Sequence, residues 1–202
     1  MIAFTDFGKM RRRFGRFGKR AVVVSILGAL VLAQGVAAVG AAPATRDLAW
    51  KTFEAEGFAL RFEYPAGLFS EAPEDVLGAP AGDGQPRRTG RVFTTPDGRA
   101  TLQVGAFENV DGLTARELRA RAVKTSYDGA RIEYDRLAAS WFVLSGRRGD
   151  EVFYERIALT CDGRRIDVWT MTYPSTDGAL FDRVVEEMAR RYRQSLREVQ
   201  CR

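Results

Sequence analysis

The sequence predicts an α+β fold, an antiparallel sheet of about six strands flanked by helices, and three features of the chain point to it. Four strand-like segments follow one another with only short turns between them from residue 131 to residue 173. One amphipathic helical stretch precedes that meander and another follows it. A Pro96-Asp97-Gly98 turn earlier in the chain separates two further segments of strand character.

In chain order, Trp50 to Phe53 and Phe58 to Tyr64 read as strands. In the second, Phe58, Leu60, Phe62 and Tyr64 alternate with Ala59, Arg61 and Glu63, the period of a sheet with one buried face. Residues 65–90 are rich in Gly, Pro and Ala and lack periodicity, so they read as a long surface loop. Arg91 to Thr95 and Arg99 to Phe107 flank the Asp97-Gly98 turn as a hairpin. Thr114 with Glu117 has the spacing of a capping box, and Leu113, Leu118, Ala122 and Val123 form the apolar stripe of a helix running to about Thr125. The meander comprises Arg131 to Leu137, Ser140 to Ser145, Glu151 to Thr160 and Arg164 to Tyr173; the run Trp141-Phe142-Val143-Leu144 predicts a strand covered on both faces. Phe181, Val184, Val185, Met188, Tyr192 and Leu196 then share one stripe of a final helix, Leu180 to Leu196.

Charge divides the chain in two. Residues 1–44 carry seven Lys or Arg and one acid, whereas residues 45–202 carry 24 basic and 25 acidic residues. The net charge of +5 therefore belongs to the leader, and the domain has no overall basicity that points to nucleic acid. In the leader the basic residues precede an uncharged run, residues 21–44, dense in Val, Leu and Ile up to residue 33 and in small residues after it. That order reads as an export signal cleaved near Ala41 or Ala44, or as an N-terminal membrane anchor through residues 21–44. Arg11-Arg12-Arg13-Phe14 also fits a twin-arginine pattern. Residues 45–202 suit one globular domain, exported to the periplasm or held at the inner membrane facing it.

The chain has no histidine, which removes His-dependent acid/base chemistry, Ser-His and Cys-His pairs and His-ligated metal sites. Cys161 and Cys201 lie in the exported part and read as a disulfide pinning the C-terminal helix to the sheet, with two free thiols as the alternative. Arginine pairs at Arg87-Arg88, Arg147-Arg148 and Arg164-Arg165 read as solvated turn charges, because a strand of about ten residues at 3.3 Å each holds the last two pairs roughly 30 Å apart. Asp-Gly pairs at Asp83, Asp97, Asp111, Asp128, Asp162 and Asp177 stand singly at turns, without the converging oxygens calcium needs. Ser145-Gly146 lacks a nucleophile elbow and reads as a turn. Glu54 with Glu56 and Asp150 with Glu151 are the carboxylate pairs a hydrolase would need, without aromatic-lined loops around them. Trp50, Trp141 and Trp169 fall within strands and read first as core, with a lipid or aromatic-ligand groove as the second reading. No catalytic, cofactor or metal site is expected.

The segment Gly57-Phe58-Ala59-Leu60-Arg61-Phe62-Glu63-Tyr64-Pro65, the Asp97-Gly98 hairpin, the helix, the meander through Trp141-Phe142-Val143-Leu144-Ser145-Gly146 and the closing helix after Tyr173-Pro174 together resemble a PsbP-like domain, over Trp50 to Arg197. That fold is shared by the extrinsic photosystem II protein, a eukaryotic Ran-binding regulator and uncharacterised exported bacterial proteins, the branch this chain is most similar to. The resemblance implies an α/β/α sandwich around an antiparallel sheet and a binding or assembly role; it supplies no site residues. The expectation is thus an exported or membrane-tethered, non-enzymatic domain that binds a protein or envelope component. The alternative is a small-molecule or lipid-binding module using the loop 65–90 as a lid.

Overall fold

The structure is a computed structural model, and it describes residues 48–55, 57–72, 86–196 and 201. The leader, residues 1–44, and the middle of the 65–90 segment, residues 73–85, lie outside the described residues. Among the described residues no helix is long and apolar enough to cross a membrane.

Nine strands and two helices follow in the order β1 (Trp50–Ala55), β2 (Leu60–Pro65), β3 (Ser70–Glu71), β4 (Arg88–Thr94), β5 (Thr101–Glu108), α1 (Ala115–Thr125), β6 (Arg131–Leu137), β7 (Trp141–Arg148), β8 (Glu151–Thr160), β9 (Arg165–Pro174) and α2 (Gly178–Ser195). The class is α+β, but the expected sheet of about six strands is corrected in two ways. Seven strands form one antiparallel sheet in the order β3-β4-β5-β9-β8-β7-β6, and β1 pairs only with β2 as a separate two-stranded ribbon. Alternation in β2 specifies one buried face and one exposed face. It does not specify which element lies against the buried face, and here that element is α2 with the sheet behind it: Phe62 meets both Trp169 and Tyr192, at 5.5 and 5.9 Å between ring centroids.

The 65–90 segment also departs from a plain surface loop. Phe69 is buried against Phe181, Ser70 and Glu71 pair with Thr94 and Phe93, and β4 already begins at Arg88. One buried aromatic inside a Gly- and Pro-rich stretch was enough to anchor its start.

The two helices lie on opposite faces of the sheet. On β9, Ile166 and Val168 pack with Leu118 and Ala122 of α1, whereas Trp169, Met171 and Tyr173 pack with Phe181, Val184 and Met188 of α2. Adjacent residues of a strand point to opposite faces, so this alternation assigns the layers. Helix α1 starts as its sequence dictates: the Glu117 backbone N–H donates to Thr114 Oγ1 at 3.3 Å, and the Thr114 N–H donates to the Glu117 carboxylate at 2.8 Å. Strand β7 is covered on both faces at its centre, with Phe142, Val143 and Leu144 all buried.

At the sheet's edge, β6 approaches β7 closely through a register irregularity between Ile132 and Tyr134. A Cβ on Gly146 would collide with the Arg131 carbonyl and stand 2.9 Å from the Ile132 Cα, so this position admits only glycine without moving β6.

Candidate functional site

On one face of the sheet α2 and the β1–β2 ribbon cover β4, β5 and β9, and the cover thins outward from β8: among the described residues Val143, Arg156 and Ala158 are buried there, while Arg131, Arg136 and Arg147 are exposed. Residues directly opposite each other in an antiparallel pair share a face. Register therefore places Arg136, Val143, Arg156 and Trp169 in one row across β6, β7, β8 and β9. Tyr134, Ser145, Tyr154 and Met171 form the next, with Arg131, Arg147 and Val152 beyond them. Trp141, opposite Ala158, completes the near end. Tyr134 is 49% exposed, Arg136 and Arg147 are exposed, and Trp141, Tyr154 and Val152 are half-buried.

Arg156 lies at the floor of this face and keeps only 6% of its surface exposed. Its guanidinium stacks over the Trp141 ring at 4.7 Å and stands 5.7 Å from the Tyr192 ring. Burial raises the Tyr154 pKa above its ordinary value, and the Arg156 charge and hydrogen bond pull against that shift. Arg156 has no ion-pair partner among the described residues, and its buried Nε–H has no hydrogen-bond acceptor. The buried indole N–H of Trp169, opposite Arg156 in the register, likewise has none.

Beside this row sits a buried pair that is complete. Arg165 donates to both carboxylate oxygens of Asp167, at 2.7 and 3.0 Å, and Thr160 and Tyr192 add hydroxyl donors at 3.4 and 3.5 Å. Burial pushes the Asp167 carboxyl up against the pull of Arg165, and burial together with the Asp167 charge pushes the Tyr192 hydroxyl well up. Next to this cluster, Cys161 and Cys201 are joined in a disulfide with 5.3 Å between their Cα atoms.

The remaining residues singled out by sequence separate. Arg165 is 6% exposed, so reading it as a solvated turn charge is corrected: the strand begins at Arg165, and its side chain turns inward onto Asp167. Arg87 is a surface pair with Glu108 at 2.5 Å, Arg164 donates to the Cys161 carbonyl, and Arg147 and Arg148 belong to β7 rather than to the turn after it. Asp97 binds its own turn, accepting from Thr95 Oγ1 and the Arg99 N–H, with Gly98 at φ 68°. Asp111, Asp128 and Asp162 lie at other turns, Asp177 ends a single 3-10 turn before α2 and pairs with Arg99 at 2.9 Å, and Asp83 and Glu56 lie outside the described residues. Glu54 pairs with Arg61. Ser145 donates to the Phe153 carbonyl within the sheet. Trp169 is core, Trp50 lies under Arg191, and Trp141 borders the open face. Among the described residues no group of three or more His, Cys, Asp or Glu is placed to hold a metal ion.

Sequence reasoning missed Arg156, Tyr134 and Tyr154. A signal was present: Glu155-Arg156 puts two charges in the middle of a strand whose flanks are otherwise apolar and aromatic, the place where a charge is costly.

No family model matches the chain, and no curated protein matches it. Among solved structures the chain is similar to cyanobacterial PsbP (CyanoP) from Synechocystis sp. PCC 6803, determined in solution, with a TM-score of 0.47 and 14% identity over 81% of this chain and 95% of that one. No residue role is taken from that similarity.

Proposed function

We propose that this chain is an exported or membrane-tethered, non-enzymatic domain that binds a protein of the cell envelope, in an exported bacterial branch of PsbP-like proteins. The observation that carries the reading is the partly uncovered face that β6 and the neighbouring parts of β7 and β8 present among the described residues. It offers exposed Tyr134, half-buried Trp141 and Tyr154, and the exposed Arg131, Arg136 and Arg147, beside the part of the sheet that α2 and the ribbon cover. Tyr, Trp and Arg are the side chains that dominate binding energy at protein interfaces. The leader pattern and the Cys161–Cys201 bond support a compartment outside the cytosol. Around the face the carboxylate is Glu133, held between Arg131 and Arg147, and burial raises the Tyr154 and Tyr192 hydroxyls above their ordinary value, away from neutral pH. General acid/base catalysis needs the opposite, a group that titrates near the working pH.

The test is site-specific photo-crosslinking in cells that export the protein. With p-benzoylphenylalanine in place of Tyr134, one discrete protein adduct is expected; the same group in place of Val110, an exposed apolar residue between β5 and α1, is expected to give none. Equal, diffuse adducts from both positions would sink the proposal. A lipid adduct at position 134 would favour the lipid-binding alternative.

A further inference from the structure

We propose that Arg156 is a carboxylate receptor: the segment docking on the open face is acidic, and one of its Asp or Glu side chains seats on the Arg156 guanidinium beside Trp141. This rests on the reading of that face as a docking surface.

A guanidinium taken out of water costs several kcal/mol unless its charge and its donors are matched. Elsewhere the molecule matches them. Arg165 has Asp167, Arg119 has Asp135, and Arg191 has Glu63 and Glu187. Arg156 is given aromatic faces, Trp141 and Tyr192, and the neutral hydroxyl of Tyr154 as an acceptor, but no carboxylate. Stacking addresses the flat faces of a guanidinium and leaves its edge, where the N–H donors lie, for an acceptor. One of those donors, the buried Nε–H, has no acceptor among the described residues. What the guanidinium lacks is an anionic acceptor, and an ionised carboxylate is acceptor-only.

Charge around the face selects the same partner. Glu133 is shared by Arg131 and Arg147, at 3.5 and 3.4 Å. Arg136 on β6 and Arg193 on α2 have no ion-pair partner among the described residues, and the Arg193 charge reaches the Tyr154 hydroxyl. The chain's near-neutral domain thus concentrates unpaired positive charge beside Arg156, which favours an acidic partner and disfavours a basic one. A side chain reaches a recessed guanidinium between two aromatic rings, whereas a plane of lipid headgroups meets protruding residues first. The recess, together with the Tyr, Trp and Arg composition, selects a protein segment over an anionic membrane.

The full chain in phosphatidylcholine nanodiscs, labelled with nitrogen-15, is titrated with an N-acetylated, C-amidated hexaglutamate peptide while the Arg156 Nε–H and Trp169 indole N–H resonances are followed. Saturable shifts of the Arg156 resonance are expected, with about tenfold weaker binding in Arg156→Met at an unchanged unfolding midpoint. Arg156→Lys, which keeps the charge and loses the planar fork, is expected to bind as weakly. Equal affinity in either variant, shifts confined to Arg131 and Arg136, or the same shifts from phosphatidylglycerol nanodiscs without peptide would each overturn the proposal. A Tyr134 crosslink that survives Arg156→Met removes only the carboxylate receptor, while absence of that crosslink in the unmodified chain removes the docking face itself.

Discussion

Helix α2 has an arginine stacked on a tryptophan along each flank, and the two are finished differently. On the ribbon side, Arg191 lies 4.3 Å over the Trp50 ring and is bound by the carboxylates of Glu63 and Glu187. On the open side, Arg156 lies 4.7 Å over Trp141, is the more buried of the two, and meets no carboxylate. The first arrangement is self-sufficient: it ties α2 to β2 across 128 residues of sequence, with flat faces and donor edge both occupied. In the second the flat faces are occupied, and the edge meets the Tyr154 hydroxyl but no carboxylate. The pair shows how one local motif serves cohesion where the chain supplies the anion, and leaves a recognition surface where it does not.

Removing charges one at a time separates the two kinds of arginine. The largest loss is expected at the buried pair that closes the row beneath α2. Arg165→Met strands the Asp167 carboxylate away from water and should lower the unfolding free energy by about 3–5 kcal/mol, read from urea denaturation at neutral pH. A loss below about 1 kcal/mol would mean that solvent reaches Asp167.

Matched substitutions then compare the flanks directly. Arg191→Met should cost about 1 kcal/mol, because it breaks a half-exposed network and a stacking contact. Arg156→Met should leave the unfolding midpoint nearly unchanged, because relief of a buried charge that has no carboxylate offsets the loss of two cation–π contacts and the hydrogen bond to Tyr154. If Arg156→Met destabilised the fold more than Arg191→Met, Arg156 would be a structural residue and the contrast between the flanks would disappear.

The smallest effects are in pH. Arg190 and Arg191 hold the Glu187 carboxyl below its ordinary value, so the folded state releases that proton more readily than the unfolded chain. Stability from the ribbon flank is therefore present above the ordinary carboxylate range and lost as pH falls through the depressed value. On the open flank burial raises Tyr154 and Tyr192 above their ordinary 10.0. The unfolded chain then ionises first, and stability is lost as pH rises past about 10. Thermal melts of Glu187→Gln should show a shallower acid limb and Tyr154→Phe a shallower alkaline limb; unchanged limbs would remove these groups from the linkage.

Much of the fold was readable along the chain. The capping box at Thr114 and Glu117, the turn at Asp97-Gly98 and the apolar stripe from Phe181 to Tyr192 are local devices, and each one forms as its residues dictate. The strand count went astray at β1 and β2, whose alternation suits a ribbon as well as a sheet strand. For the site, the arginine pairs attracted attention because adjacent charges are conspicuous in sequence. They resolved into surface pairs, strand positions and one buried ion pair. Arg156 was less visible because its surroundings come from Trp141, Trp169 and Tyr192, residues on three other elements.

By itself the sequence determined the division of charge between residues 1–44 and residues 45–202, the absence of histidine, the two amphipathic helices and the alternation of the strands. These follow from composition and from periods of 2 and 3.6 residues, which need no knowledge of neighbours. Tertiary structure alone decided which strands share a sheet, which flank of α2 the ribbon covers, and that Arg165 finds Asp167 while Arg156 finds rings and a tyrosine hydroxyl but no carboxylate. A periodic pattern states that a face will be buried; what buries it, and whether a charge there meets its opposite, depends on elements far apart in the chain.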